Sequence, residues 1–161
     1  MSGLDSGGLR FVDDGVTAAD LRRIRGNLEK RSRILRSVRD FFNDKRFLEV
    51  QTPVCVAAPA LEPHIDAEPV GNVYLRTSPE LHIKRLLAAG YPDIFEMGAC
   101  FRRGESGRLH RPEYTMLEWY RLGADYDGAL VDCRELIMSV AESLNCRALE
   151  YQGVSVDLHS P

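Results

Sequence analysis

The chain has no apolar run near the roughly 20 residues that a membrane-spanning helix needs, so no transmembrane segment is expected. Its opening residues, MSGLDSGGLRFVDDG, are too polar and acidic for a signal peptide. Cys55, Cys100, Cys133 and Cys146 form no C-x-x-C pair, and the four histidines are scattered. That pattern argues against a zinc site or a disulfide framework, and reduced thiols in a soluble, cytoplasmic protein are expected. No G-x-x-x-x-G-K-S/T loop is present, which excludes a P-loop as a phosphate holder. A global basic bias is lacking as well: the net charge is −3 and the pI near 5.8, unlike a protein that coats nucleic acid. Any anion site must be local. Internal repeats and low-complexity segments are absent.

What is present suits one globular domain: 161 residues, 44% hydrophobic and 28% charged, enough to bury a core. Residues 1–16, rich in Gly, Ser and Asp, read as a flexible N-terminal tail, and residues 17–161 as the domain. Thr17 or Asp20 is placed to cap a helix running to about Lys45, with Leu28, Leu35, Val38 and Phe42 at helical spacing. Arginines and lysines outnumber acids along it, giving a basic face that is either solvated or turned to an acidic partner. FLEVQTP follows as a short strand halted at Pro53, whose ring removes a ladder donor. HIDAEPV and VYLRTS, split by Gly71-Asn72, read as a hairpin. Ser78 and Pro79 open a second helix that Gly90 ends.

DIFEMGACFRR and EYTMLEWYRLG carry the strongest strand patterns and predict a long antiparallel hairpin, joined by a polar loop from about Gly104 to Pro112. After Asp125 and Asp127, the positions Leu130, Cys133, Ile137, Val140 and Leu144 mark an amphipathic helix. VSVDL reads as a last strand.

Side chains alternate across a strand, so Tyr114, Met116, Glu118 and Tyr120 share one face of the second hairpin strand. On the first strand Glu96, Gly98, Cys100 and Arg102 share a face, with small residues leaving space above it. If the two faces coincide, a guanidinium, carboxylates and aromatic rings surround one space. Such a floor suits an anion joined to an aromatic base, beside an ammonium. Arg102 can bind two phosphate oxygens at once, which a lysine cannot, and Arg108, His110 and Arg111 are placed to fold over more distal phosphates. The same loop is equally compatible with plain pairing to nearby acids. Glu80 has a second reading, because TSPE is also a capping box in which Glu80 reaches back to a free amide. Glu118, inside a strand, needs a partner, and Arg102 would serve as a structural one.

With these residues in view, FLEVQTP, a helix and then a strand ending at Pro53, resembles motif 1 of the class II aminoacyl-tRNA synthetases. CFRRGESGRLHRPEYTMLEWYR resembles their motif 2, two antiparallel strands and a loop that hold ATP. TSPELHIKRLLAAG and RPEYTMLEWYR look lysyl-type, and within that branch the wording TMLEWYR is similar to the elongation factor P lysine ligases. The resemblance spans roughly Lys30 to Leu144. It implies an α+β fold, a class II synthetase-like antiparallel sheet flanked by helices and incomplete at the C-terminus.

By position, the resemblance makes Arg102 the catalytic α-phosphate ligand. It places Arg103, Gly104, Glu105, His110 and Arg111 in the ATP-binding loop and Tyr114 under adenine. Ser78, Pro79, Glu80, Glu118 and Tyr120 would surround lysine or β-lysine, and Pro53 would belong to the motif 1 dimer surface. The implied reaction joins the amino acid to ATP as an aminoacyl adenylate and passes it to a lysine of elongation factor P, or, in a lysyl-tRNA synthetase, to tRNA-Lys. The family pattern Phe-Arg-x-Glu reads Phe101-Arg102-Arg103-Gly104 here, with Glu105 one place late. Fewer than thirty residues precede the motif 1 helix, too few for an anticodon-binding barrel. The sequence reaches Pro161 before any motif 3, so the second ATP-binding arginine and the Mg2+ ligands are expected beyond it, and this chain alone is expected to be inactive or to serve as a binding paralogue.

Overall fold

The computed structural model describes residues 17–158; the expected tail, residues 1–16, lies outside them. Helix α1 (Ala18–Asp44) starts at Thr17, which donates its backbone N–H to Asp20 Oδ2 at 3.0 Å while its hydroxyl accepts from the Asp20 N–H at 3.2 Å. Thr17 is therefore the cap and Asp20 its reciprocal partner. The core takes α1 side chains from Ile34 onward, so Leu28, expected in the apolar stripe, is exposed. Of the basic residues, Arg25 pairs with Glu29, Arg39 with Glu49, and Arg31 donates to Thr115 Oγ1 at 2.7 Å.

Strand β1 (Leu48–Glu49) ends well before exposed Pro53 and runs parallel to β5 (Ile94–Phe101), which pairs antiparallel with β6 (Glu113–Tyr120). The expected antiparallel pairing is that of β5 with β6, and β1 adds a parallel edge, because the turn after α1 brings Leu48 alongside Asp93 in the same direction. A second small sheet has the order β2 (Cys55–Val56), β4 (Val73–Leu75), β3 (Pro69–Val70). The predicted turn at Gly71-Asn72 forms, but residues 64–68 are loop rather than strand. Their backbone is used elsewhere: Asp66 O accepts from the Arg103 N–H at 2.8 Å. Helix α2 (Glu80–Ala88) precedes β5, helix α3 (Tyr126–Ser143) follows β6, and β7 (Ala148–Tyr151) pairs with β8 (Val154–Asp157). Strand β7 was not expected, since ALEY lacks the β-branched pattern that marks VSVDL. No helix among the described residues is long and apolar enough to cross a membrane.

The two faces of the central sheet are chemically distinct. On one, Phe95, Met97, Leu117 and Trp119 meet α1 and α3; the Phe42 ring stacks on Phe95 at 4.7 Å and meets Phe47 edge-on at 5.1 Å. Helix α3 contributes Leu136 and Val140 to this core, while Leu130 and Ile137 of the expected stripe are exposed. The helix is rotated instead to bury Asp132, held by Arg121 at 2.8 and 2.9 Å and by Lys45 at 3.5 Å. Burial opposes ionisation of Asp132, but these cations outweigh it and hold the carboxyl below its usual range.

The opposite face is crossed by residues 76–80, the link from β4 into α2. Arg76 and Glu96 are 2% exposed and pair at 2.5 Å. Arg76 also donates to Ala99 O, Thr52 O and Thr52 Oγ1 at 3.0, 3.1 and 2.9 Å, and Glu96 accepts from the Thr52 hydroxyl at 2.7 Å. Gly98 makes room: a Cβ there would collide with the Arg76 guanidinium. The space expected above Gly98 is therefore filled by Arg76, a long-range partner that local sequence does not reveal.

Surface ion pairs such as Arg25–Glu29 contribute about 0–1 kcal/mol, whereas removing one partner of a buried pair costs about 3–5 kcal/mol. The Glu96→Gln variant is accordingly expected to lose about 3 kcal/mol in urea unfolding, and Glu29→Gln less than about 1 kcal/mol. Equal losses for the two variants would contradict this ranking.

Candidate active site

The hairpin register fixes which groups meet. Glu96 lies opposite Glu118, Gly98 opposite Met116, Cys100 opposite Tyr114 and Ile94 opposite Tyr120. The two faces inferred from alternation therefore do coincide. Cys100 is buried at their centre, and burial pushes its thiol above the usual range.

At one end of this floor sits Glu118. Ser78 Oγ donates to its Oε1 in a short hydrogen bond, and the Tyr120 hydroxyl donates to Oε2 at 3.4 Å. Arg102 is not its partner, so the structural pairing considered for these two does not occur. Among the described residues no Lys, Arg or His pairs with Glu118. Desolvation raises its carboxyl above the ordinary value of 4.5, and the negative Glu80 and Glu96 add to the rise, against the lowering effect of the Ser78 and Tyr120 hydroxyls. Burial, then the charges of Glu118 and Glu80, push the Tyr120 phenol far above its ordinary range, so it remains a hydrogen-bond donor.

Ser78 has a second role, accepting the Glu80 N–H at 3.0 Å at the start of α2. Pro79, fully buried, is the residue at the helix cap. The capping-box reading of Glu80 does not hold, because its carboxylate pairs forward with Lys84 at 2.5 Å rather than back to an amide. Glu80, Glu118 and Tyr120, with Leu117, Trp119 and Ala129, line an open hollow of about 360 Å³ along the edge of β6, taking residues from both faces of that strand. A groove of about 520 Å³ runs along α1 between Leu28 and Asn43, but a single helix lines it and brings no second element to a ligand.

At the other end of the floor, the Arg102 guanidinium lies over the Tyr114 ring, 5.3 Å from its centre. The Tyr114 hydroxyl donates to Thr77 O at 3.0 Å, which fixes the ring. Burial raises the Tyr114 phenol and Arg102 opposes the rise. Arg102 Nε is buried with no hydrogen-bond partner among the described residues, while the side chain as a whole is 26% exposed. Gly104, at φ +76°, turns the loop so that Glu105 comes back to 3.9 Å from Arg102.

The rest of the loop does not join this cluster. Arg103 is exposed and lines a different hollow with residues 57–62 and 65–67 and Tyr74. Arg111 donates to Gly107 O at 2.6 Å and to His110 O at 3.2 Å, closing the loop on itself, and His110 is exposed. Arg76 and Thr52 are the site-positioning residues that sequence reasoning missed. Glu96, already placed on the right face, was the available signal, since a carboxylate opposite another carboxylate requires a cation.

Residues 16–158 match the family model for tRNA synthetases class II (D, K and N). The chain belongs to that family. It is 40% identical over 136 residues to the elongation factor P–(R)-β-lysine ligase of Proteus mirabilis and 40% over 135 residues to that of Vibrio cholerae, covering 78% of this chain and 42% of each relative. It is also 41% identical over 139 residues to the lysine–tRNA ligase of Pelotomaculum thermopropionicum, covering 83% of this chain and 28% of that protein. The class II fold is α+β, as the helices and sheets here are. These relatives are named as ligases that use lysine or β-lysine, and the chain spans less than half of their length.

The raised carboxyl of Glu118 has a measurable consequence. A carboxyl with a folded pKa above its unfolded value of about 4.5 contributes stability that is fully present below that pH and lost as pH rises through the folded value. The Glu118→Gln variant is expected to melt higher than the parent at pH 7–8, with the gap closing by about pH 4. A gap that does not change with pH would contradict the assignment.

Proposed function

We propose that residues 17–158 form the motif 1 and motif 2 part of a class II catalytic domain that activates lysine or β-lysine with ATP. The carrying observation is Glu118, a half-buried carboxylate with hydroxyl partners and no cation, on the same floor as an Arg102 with unused donor capacity. One end of the floor suits an ammonium and the other a phosphate. Three carboxylates occupy the first end, and Arg76 neutralises Glu96 while Lys84 pairs with Glu80. Glu118 is left for the ligand's ammonium, with Ser78, Pro79, Glu80 and Tyr120 around it.

In this reading Arg102 binds the α-phosphate, with Tyr114 as the ring beneath adenine and Glu105 steadying the guanidinium. Arg103, Gly104, His110 and Arg111 belong to the ATP-binding loop, which must rearrange to bring its side chains over the phosphates. The amino acid's carboxylate oxygen attacks the α-phosphorus, the bond to the bridging oxygen breaks, and pyrophosphate leaves. Orientation of the two reactants and neutralisation of developing charge by Arg102 supply the acceleration. Magnesium belongs to this chemistry, and among the described residues no three His, Cys, Asp or Glu side chains gather to hold it.

The acceptor of the resulting aminoacyl adenylate is a lysine of elongation factor P, with AMP released when its amine attacks the acyl carbon. The matches to two ligases of that name support this choice. The near-equal identity to a lysine–tRNA ligase supports a second reading, in which tRNA-Lys is the acceptor. Cytoplasmic location and a homodimer formed through the motif 1 segment at Pro53 complete the proposal.

Ammonium binding requires Glu118 ionised, so lysine affinity should rise with pH until Glu118 has lost its proton and then level off. Calorimetry on the chain should show this profile, with Glu118→Gln weakening lysine about ten- to hundredfold and flattening the pH dependence. Unchanged lysine affinity in that variant would overturn the reading. For the acceptor, a form extended through motif 3 is given labelled lysine or β-lysine with ATP and either elongation factor P or tRNA. Label on tRNA alone would replace the first reading by the second.

A further inference from the structure

The Glu80–Lys84 pair lies at the amine end of the floor and is made of the same two groups that a bound amino acid would bring together there. Lys84 Nζ sits 2.5 Å from Glu80 Oε1. Both residues are on α2 four positions apart, with side chains 55% and 38% exposed. Pairs of this kind are weak, about 0.2–0.5 kcal/mol on a helix surface, because water and side-chain freedom compete with them. Such a contact exists yet yields readily to a rival ammonium. The neighbouring cation shows the contrast: Arg76 is almost wholly buried and bonded to Glu96, Thr52 and the Ala99 carbonyl, so it cannot move aside.

We propose that Lys84 is a specificity-determining residue of this pocket, an internal ammonium that occupies Glu80 and is displaced from it by the ammonium of the ligand. This rests on the reading that the cleft beside Glu118 takes an amino acid. Lys84 holds the pocket one negative charge lower than its carboxylates alone would make it. It thereby weakens the capture of amines in general and leaves Glu118, whose partners are hydroxyls, as the carboxylate that a ligand must satisfy first. Two carboxylates without Lys84 would hold almost any small cation. With Lys84 present, a ligand gains Glu80 only by exchanging one ammonium for another, a near-neutral step whose outcome depends on how well the rest of the ligand fits.

The groups facing Glu118 are Ser78 and Glu80 at the start of α2, Tyr120 on its own strand and Glu96 on β5. Of these, Glu80 is the one whose charge Lys84 offsets. The test therefore has two independent readouts. First, lysine and hexanoate, a carboxylate of the same chain length with no ammonium, are titrated into the parent chain, Lys84→Gln, Glu80→Gln and the double variant. Lys84→Gln should bind lysine about two- to fivefold tighter at low salt, leave hexanoate no tighter, and have no effect in the Glu80→Gln background. Second, the Glu118 carboxyl is titrated by carbon-13 NMR with no amino acid added. Its midpoint should move up in Lys84→Gln and down in Glu80→Gln.

If the parent binds lysine and Lys84→Gln binds it equally or more weakly, the inference is overturned while the proposed function stands. If no variant binds lysine, the proposed substrate is wrong. In that case a Glu118 midpoint that moves as stated upholds Lys84 as the counter-charge of this pocket, and a midpoint unmoved by Lys84→Gln overturns it.

Discussion

The buried pairing of Arg76 with Glu96 is the constraint on which the rest of the arrangement depends. Three stretches distant in sequence meet there: the residues after β1 through Thr52, the exit of β4 through Arg76, and the middle of β5 through Glu96 and Ala99. Because the guanidinium spends its donors on the other two, the segment from Arg76 to Glu80 has one path across the sheet. That path puts Thr77 O over the Tyr114 hydroxyl and Ser78 Oγ on Glu118. The pair is thus less a source of net stability than a device for holding the floor of the site in register, a role for which buried ion pairs are better suited.

The electrostatic character of the cleft follows from the same arrangement. Glu96 and Glu118 are directly opposite on adjacent strands, a placement that repels when both are ionised. Arg76 takes one of them out of the competition. Glu118, given only hydroxyl groups, is left with a raised carboxyl and a capacity for one cation. Six positions along from Glu96, the residue opposite Glu118, Arg102 has the opposite character, a cation over a ring with a buried donor unmatched. A ligand with an ammonium at one end and a phosphate at the other would satisfy both.

Much of this was legible from period-two alternation. The faces of the two hairpin strands and the membership of Glu118, Tyr120, Tyr114 and Arg102 depend on local spacing, and the structure reproduces them; the coincidence of the faces depends on the register that sets Glu96 opposite Glu118, which spacing left open. Arg76 was not legible, because nothing near YLRTS says that its arginine turns in toward a glutamate twenty residues on; the gap at Gly98 was therefore read as open when it is a socket. The same limit affects α3. A stripe of apolar residues predicts a buried Leu130 and Ile137, but Arg121 and Lys45 draw Asp132 inward and turn those residues to the surface. The loop was the third weak point, since charge alone cannot distinguish Arg102, held over Tyr114, from Arg111, folded onto its own backbone.

The floor of the site is expected to have two ends of opposite affinity. Amide and side-chain NMR on the chain, with lysine and ATP added separately, addresses this directly. Lysine should perturb Ser78, Glu80, Glu118 and Tyr120, and ATP should perturb Arg102, Glu105 and Tyr114, with little overlap. Perturbations by both ligands confined to the exposed arginines of α1, or a single common set of residues for the two, would contradict it.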